Sequence, residues 1–359
     1  MTDKKQLLGT APVGRLLFSL ALPTVVAQLI NMLYNIVDRI YIGHIPEIGD
    51  LALTGVGVCM PLIMIVSAFA ALVSSGGAPR ASIFMGKQDM ERAEKTLGGC
   101  FCLQLLISAV LTAVLLLWSE DLLLLFGASS NTISYATDYM SIYAMGTVFV
   151  QLTLGMNAFI TAQGFTKITM LSVLIGAVSN IILDPIFIYI LNMGISGAAW
   201  ATVFSAALSC IVMSYWMWGK KDLYLDLSPK NFNYSTKLML DTLQVAIPST
   251  LENIVFSALA IIINSMLVLA SGTAAVAVYT ASMRIVQLAM IPLIGLGTAV
   301  LTVAGVAYGA RNYTNLKTAH SYSIRVGFAV SIALGAVMFI LAPQIAAVFS
   351  YTEASAGMA

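Results

Sequence analysis

The chain has 359 residues, 59% hydrophobic and only 9% charged, with a formal net charge of +1 and a mean hydropathy of +0.93. Soluble domains carry about 25% charged residues, so this composition excludes a soluble globular protein and points to a chain that crosses a bilayer many times. The near-zero net charge provides no global field for nucleic acid, and no nucleic-acid partner is expected.

A helix needs about 20 apolar residues to span the hydrocarbon. Runs of that length predict nine spans, roughly at 16–42, 51–77, 97–118, 133–161, 168–191, 195–218, 238–270, 274–304 and 319–350. With the N-terminus placed in the cytoplasm, fifteen of the 17 basic residues fall on the cytoplasmic side. Arg39 and Arg284 are the exceptions, and the opposite loops carry Glu47, Asp50, Glu120 and Asp121 instead. The four cysteines (Cys59, Cys100, Cys102, Cys210) show no metal-ligand spacing and read as small apolar residues.

Span 1 contains Pro23 and then a polar stripe. Gln28, Asn31, Asn35 and Asp38 are spaced three, four and three residues apart, which puts them on one helical face, with Tyr34 beside it. That many amides and acids favour the wall of a hydrated cavity over a packing face. Span 4 adds Tyr139, Tyr143, Gly146, Thr153 and Asn157. In span 5, Asn180 and Asp184 stand at i and i+4, directly before Pro185. At 1.5 Å per residue, Asp184 lies about 25 Å from the cytoplasmic end, a depth shared by Asp38 and, coming from outside, by Thr202 of span 6.

An ionisable residue inside a span is a functional candidate by default. Two carboxylates, an amide oxygen and a hydroxyl suit a hard cation such as Na⁺, or a shared proton. Two close carboxylates in a low dielectric resist double ionisation, and either cation relieves the repulsion. The plainer alternative, that Asp184 caps a break at Pro185, leaves Asp38 unexplained. Pro23 and Pro248 permit kinks, so a bending span 1 that carries Asp38 is a candidate moving part.

In the second half, Glu252 is a candidate for a cationic substrate or a second ion, with snorkelling toward the cytoplasm as the alternative. Arg284 and Gln287 either pair or line a substrate cavity. The 19 methionines, Met283 and Met290 among them, suit an adaptable apolar surface, with core filling the alternative reading for most. SSGGAPR (74–80) lacks the spacing of a phosphate-binding loop, and no metal cluster or nucleophile–base pair is present. Transport would then be driven by an ion rather than by a nucleotide, with no cofactor beyond the coupling ion.

An internal repeat is also legible. LALPTVVAQL (20–29) aligns with VAIPSTLENI (245–254), which sets Pro23 on Pro248. ASIFMGK aligns with AGVAYGA, setting Gly86 on Gly309, and LLLLFGASSNT aligns with IAAVFSYTEAS, setting Phe126 on Phe349. The last two pairs share one offset along the chain, and the proline pair nearly keeps it. A first unit of six spans returns the chain to its starting side, so the second unit enters in the same orientation and the halves are parallel. By the same offset roughly 80–90 residues of the second unit are expected beyond Ala359. The expectation is therefore a fragment or an incomplete gene product, a complete nine-span protein being the alternative.

PTVVAQLINMLYNIVDRIYIG, SNIILDPIFIY followed by GISGAAWAT, and VAIPSTLENI with VAGVAYGARN together resemble the multidrug and toxic compound extrusion family, most of all its prokaryotic branch similar to DNA-damage-inducible protein F. The resemblance covers essentially the whole chain. It implies an all-α membrane protein built as a parallel repeat of six-helix bundles, with nine transmembrane helices present of an expected twelve. Residues 1–222 would form the N-terminal lobe and 223–359 part of the C-terminal lobe. It further implies that Asp38, Asn180, Asp184 and Thr202 form a cation site for Na⁺ or H⁺, that Tyr139, Asn157 and Asn35 support it, and that Pro23 is the hinge. Gln28, Asn31, Tyr34, Glu252, Met283, Arg284 and Gln287 are the candidate cavity residues. Glu252 stands where this branch often has an uncharged residue.

The expected protein is thus not an enzyme but a cation-coupled antiporter of the inner or plasma membrane, a monomer that exports small organic, often cationic, compounds. A lipid-linked oligosaccharide flippase is the rival of related architecture. It should want a basic cavity, whereas the intramembrane charges here are mainly acidic. A channel or receptor is the rival from another class and needs no paired ionisable site.

Overall fold

The computed structural model describes residues 12–219, 223–232 and 236–349. They form α1 (Val13–Gly43), α2 (Gly49–Gly86), α3 (Met90–Leu125), α4 (Ile133–Ala162), α5 (Thr166–Pro185), α6 (Gly194–Ser214), α7 (Thr236–Gly309) and α8 (Tyr313–Phe349). Among the described residues eight helical stretches are long and apolar enough to cross a membrane. The chain is a multi-pass membrane protein.

Nine spans were expected, and the difference lies in α7. The runs 238–270 and 274–304 fall inside one helical assignment, and the expected break at Ser271–Gly272–Thr273 is helical. Hydropathy marks where apolar runs pause, not where backbone hydrogen bonding stops, and this pause holds no proline to stop it. Nor is α7 a straight rod. Thr242 packs against Gly76 of α2 and Val306 against Gly86 of α2. A straight helix would separate Thr242 from Val306 by about 96 Å, whereas Gly76 and Gly86 lie about 15 Å apart along α2. The chain therefore reverses between Thr242 and Val306.

Proline is accommodated without breaking the membrane path. At Pro185, which has no N–H and crowds the carbonyl four residues back, α5 passes into a π-helical turn, Ile186–Ile190, that extends the apolar span to Ile190. In α1, Pro23 is buried within an unbroken helix.

The first half packs around α2 and α4, where buried amides fasten helix to helix. Gln104 donates from α3 to the Ala70 carbonyl (3.2 Å), and Gln151 from α4 to the Val66 carbonyl (2.6 Å). In a bilayer, where apolar surfaces gain little by meeting each other, such cross-helix bonds and close packing carry association. All four cysteines are free and buried.

Residues 223–232, which the sequence assigns to the second half, pack on the first. Leu223, Leu225 and Leu227 are buried in the core of the first half, and Phe232 stacks on Phe101. Gln163 accepts hydrogen bonds from the backbone N–H groups of Tyr224 (2.8 Å) and Leu225 (2.9 Å), and Asn231 donates to Glu94 (3.0 Å). Trp218 donates to the Leu227 carbonyl.

The halves meet chiefly where α2 crosses the end of α7. A Cβ added to Gly86 would strike the Val306 carbonyl oxygen, and one added to Gly309 would strike the carbonyl oxygen of Ile83. Ser82 and Gly305 also face each other there. Ile83–Val306, Gly86–Gly309 and Ser82–Gly305 are all pairs that the internal repeat makes equivalent, at one shared offset along the chain.

Candidate functional site

Helices α1, α2, α4, α5 and α6, with Thr298 of α7, enclose a cavity of about 500 Å³. From α1 it is lined by Thr24, Gln28, Asn31, Tyr34, Asn35, Asp38 and Arg39, so the polar stripe read from the sequence faces a cavity. Asn35 donates to the Asn31 carbonyl at 2.6 Å, which fixes its amide along the helix wall. Tyr139, Tyr143, Thr153 and Asn157 of α4 and Thr202 of α6 line the same space. Tyr139 and Tyr143 are stacked with ring centroids 6.4 Å apart. Beside the cavity, Thr302 of α7 donates to the carbonyl of the lining residue Thr161 (3.3 Å).

Of the two acids, Asp38 lines the cavity, whereas Asp184 and its neighbour Asn180 are not among the lining residues. Asp184 is fully buried and Asn180 nearly so, and the Asn180 amide donates to Asp184 Oδ1 at 3.3 Å. The Asp38 and Asp184 carboxyls lie within electrostatic reach of each other, and Tyr34 lies within reach of both. Three buried oxygens in this group have no hydrogen-bond partner among the described residues: Asp38 Oδ1, Asp184 Oδ2 and Asn180 Oδ1. Buried polar atoms are nearly always paired, because an orphan costs about 1–3 kcal/mol, more when charged. Three orphan acceptors around a carboxyl pair therefore call for a cation or a proton.

Asn157 stands apart from this group. Its Oδ1 is also buried without a partner among the described residues, and its backbone carbonyl accepts from Thr169 (3.3 Å). In the second half, Glu252, Met283 and Gln287 have exposed side chains and do not line this cavity. The side chain of Arg284 lies outside the described residues. Helical spacing tells which residues share a face, not which neighbour that face meets.

Sequence reasoning passed over a hydroxyl-rich wall: Thr161, Thr166, Thr169, Ser205 and Ser209. The signal was available in Thr202, Ser205 and Ser209, spaced three and four along α6. Arg39 also lines the cavity, beside Asp38. Among the described residues no group of three or more His, Cys, Asp or Glu could hold a metal ion, so any ion here would rest on mixed oxygen ligands.

The MatE family model matches residues 23–186 and again 248–359, so its two matches begin at Pro23 and Pro248. A crystal structure of a MATE protein in the bent conformation superposes with a TM-score of 0.91 at 29% identity, over 100% of this chain and 78% of that one. An outward-facing multidrug resistance MATE transporter of the MOP superfamily gives 0.89 at 30% identity, over 98% and 78%. The multidrug export protein MepA of Staphylococcus haemolyticus is 26% identical over 314 residues, 88% of this chain and 67% of MepA. The FAD transporter of Shewanella oneidensis is 25% identical over 358 residues, 98% of this chain and 77% of the relative. A family model that covers most of the length in two matches, and a fold that superposes nearly throughout, show that the chain belongs to the MatE family of membrane transporters.

Proposed function

We propose that this chain carries the N-terminal half and part of the C-terminal half of a cation-coupled antiporter that exports small organic compounds, with Na⁺ or H⁺ bound by Asp38, Asn180, Asp184 and Thr202. The observation that carries the reading is the trio of orphan oxygens on Asp38, Asp184 and Asn180, buried beside a polar cavity. Two unit negative charges about 4 Å apart repel by roughly 4 kcal/mol at an effective dielectric of 20. A bound cation removes that repulsion and supplies the missing partner. Its arrival or departure biases how α1, which carries Asp38, packs against α5, which carries Asp184. Such a differential interaction with two arrangements is what a ligand needs to shift a conformational equilibrium.

The cavity suits an organic substrate of varied shape. Tyr34, Tyr139 and Tyr143 supply aromatic faces, Met60 and Met170 adaptable apolar surface, and Gln28 and Asn31 turnable amides. A relative that is a multidrug export protein agrees with that chemistry. The architecture that fits is two parallel halves with nine crossings in this chain, the N-terminus in the cytoplasm and Pro23 as the bending point of α1. The reversal within α7, the contacts between repeat-equivalent residues, and the doubled family match support the repeat.

The test uses proteoliposomes with Na⁺ and pH gradients imposed separately and a fluorescent organic cation as cargo. Asp38→Asn and Asp184→Asn should each abolish gradient-driven export through the chain while leaving it folded and inserted. Normal gradient-driven export in either variant would sink the reading.

A further inference from the structure

Where α2 crosses α7, the contact between the halves is built largely from small residues and backbone. Thr242 lies on Gly76, Val306 and Gly309 on Ile83 and Gly86, and Gly305 on Ser82. One charged contact interrupts this surface. Arg80 of α2 donates to Asp241 of α7, Nη2 to Oδ2, at 3.1 Å. The other ion pairs among the described residues, Asp89–Arg92 and Glu91–Lys95, lie within the start of α3. Arg80–Asp241 is thus the one ion pair among them that joins the two halves.

The pair also breaks the repeat. In the register that sets Gly86 on Gly309, Arg80 falls on Val303, and in the register that sets Pro23 on Pro248, Asp241 falls on Leu16. Leu16 and Val303 lie together in one buried apolar cluster with Leu17, Leu20 and Ala299. Gly76 and Thr242 carry over in the same way onto Ala299 and Leu17, members of that cluster. The two sides of the contact are therefore matched in position and opposed in chemistry: apolar packing on one, a charge pair on the other. Apolar packing is undirected and tolerates sliding. A charge pair holds one distance, and its partners must find water or new partners when it parts.

We propose that Arg80–Asp241 is the latch of the seal that closes the cavity on its cytoplasmic side. Arg80 is 18% exposed and Asp241 39%, so water is near enough to rehydrate both charges once the halves separate, and the latch can open reversibly. Arg80 Nη1 is buried with no partner among the described residues, which leaves the guanidinium held through its other nitrogen alone. This inference rests on the orientation and the two-half architecture proposed above, but not on which ion drives transport.

The experiment reads accessibility and needs no substrate. In the full chain, with the four cysteines replaced by alanine, Thr298→Cys reports on the cavity and Lys87→Cys on the membrane side. A membrane-impermeant maleimide is added to inside-out and right-side-out vesicles. The cytoplasmic labelling of Thr298→Cys should be slow in the parent and rise about three- to fivefold with Arg80→Gln or Asp241→Asn, the scale of a partly exposed ion pair. The charge swap Arg80→Asp with Asp241→Arg should return it toward the parent rate. Labelling that does not rise in the single variants, or a swap that labels as fast as they do, would overturn the latch. Labelling of Lys87→Cys only in right-side-out vesicles would instead overturn the orientation, and with it the assignment of the latch to the cytoplasmic side.

Discussion

Gly86 and Gly309 meet with no side chain between them, each where a Cβ would strike the backbone of the other's helix. Contacts in which i meets j while their equivalents meet in reverse are the mark of a two-fold relation. The two glycines are each other's equivalents in the internal repeat, which places them beside such an axis.

This makes a prediction with an unusual sign. Alanine favours a helix over glycine by about 0.8–1.0 kcal/mol. At Gly57 and Gly297, where an added Cβ meets nothing, alanine should hold or raise thermal stability in detergent. Gly86→Ala and Gly309→Ala should lower it despite the same propensity gain, because the helices must move apart. Thermal melts of the four variants check this.

Asn180 supplies the one amide that donates to Asp184 among the described residues. Asn180→Leu should leave the carboxyl pair with no amide and reduce gradient-driven export by more than tenfold, with insertion intact. Thr202→Val, which removes one neutral oxygen, should cost less. Initial export rates at several Na⁺ concentrations and pH values would order the two.

Gln163 satisfies two backbone N–H groups with one oxygen. Gln163→Ala would orphan both, at about 1–3 kcal/mol for each one left buried. Its expected result is release of residues 223–232 from the first half, seen as faster proteolytic nicking there. Gln163→Glu keeps the acceptor and should remain protected.

Pro23→Ala returns an N–H to the middle of α1 and a hydrogen bond to the ladder. The expected outcome is a protein at least as stable but slower in export, because the hinge proposed at Pro23 has stiffened. Melting temperature and transport rate, measured on the same preparation, should move in opposite directions.

Much of this was readable in the sequence for physical reasons. Hydrocarbon thickness sets span length, so α1 to α6 and α8 begin and end within several residues of the apolar runs, apart from tails that extend past the membrane. Polar residues in such runs are rare, so the Gln28–Asp38 stripe and the Asn180–Asp184 pair stood out. What stayed hidden depends on tertiary contact. Thr166, Thr169 and Ser209 are ordinary in apolar helices, where hydroxyls can bond their own backbone, and nothing local says that they face a cavity. Gln163 lies between two apolar runs, and its role exists only because residues 224 and 225 fold back upon it. The two prolines of α7, Pro248 and Pro292, do not by themselves announce where it reverses.

The docking of residues 223–232 has a consequence for how the halves stay together. A covalent link raises the effective concentration of two partners, the more so the shorter its free length. With Leu223 to Phe232 fixed to the first half, the covalent path from the first half to α7 is far shorter than the distance in sequence between α6 and α7. Separated halves would meet again at a high local concentration, so the contact at Gly86 and Gly309 can be weak, and easily parted, without the molecule coming apart.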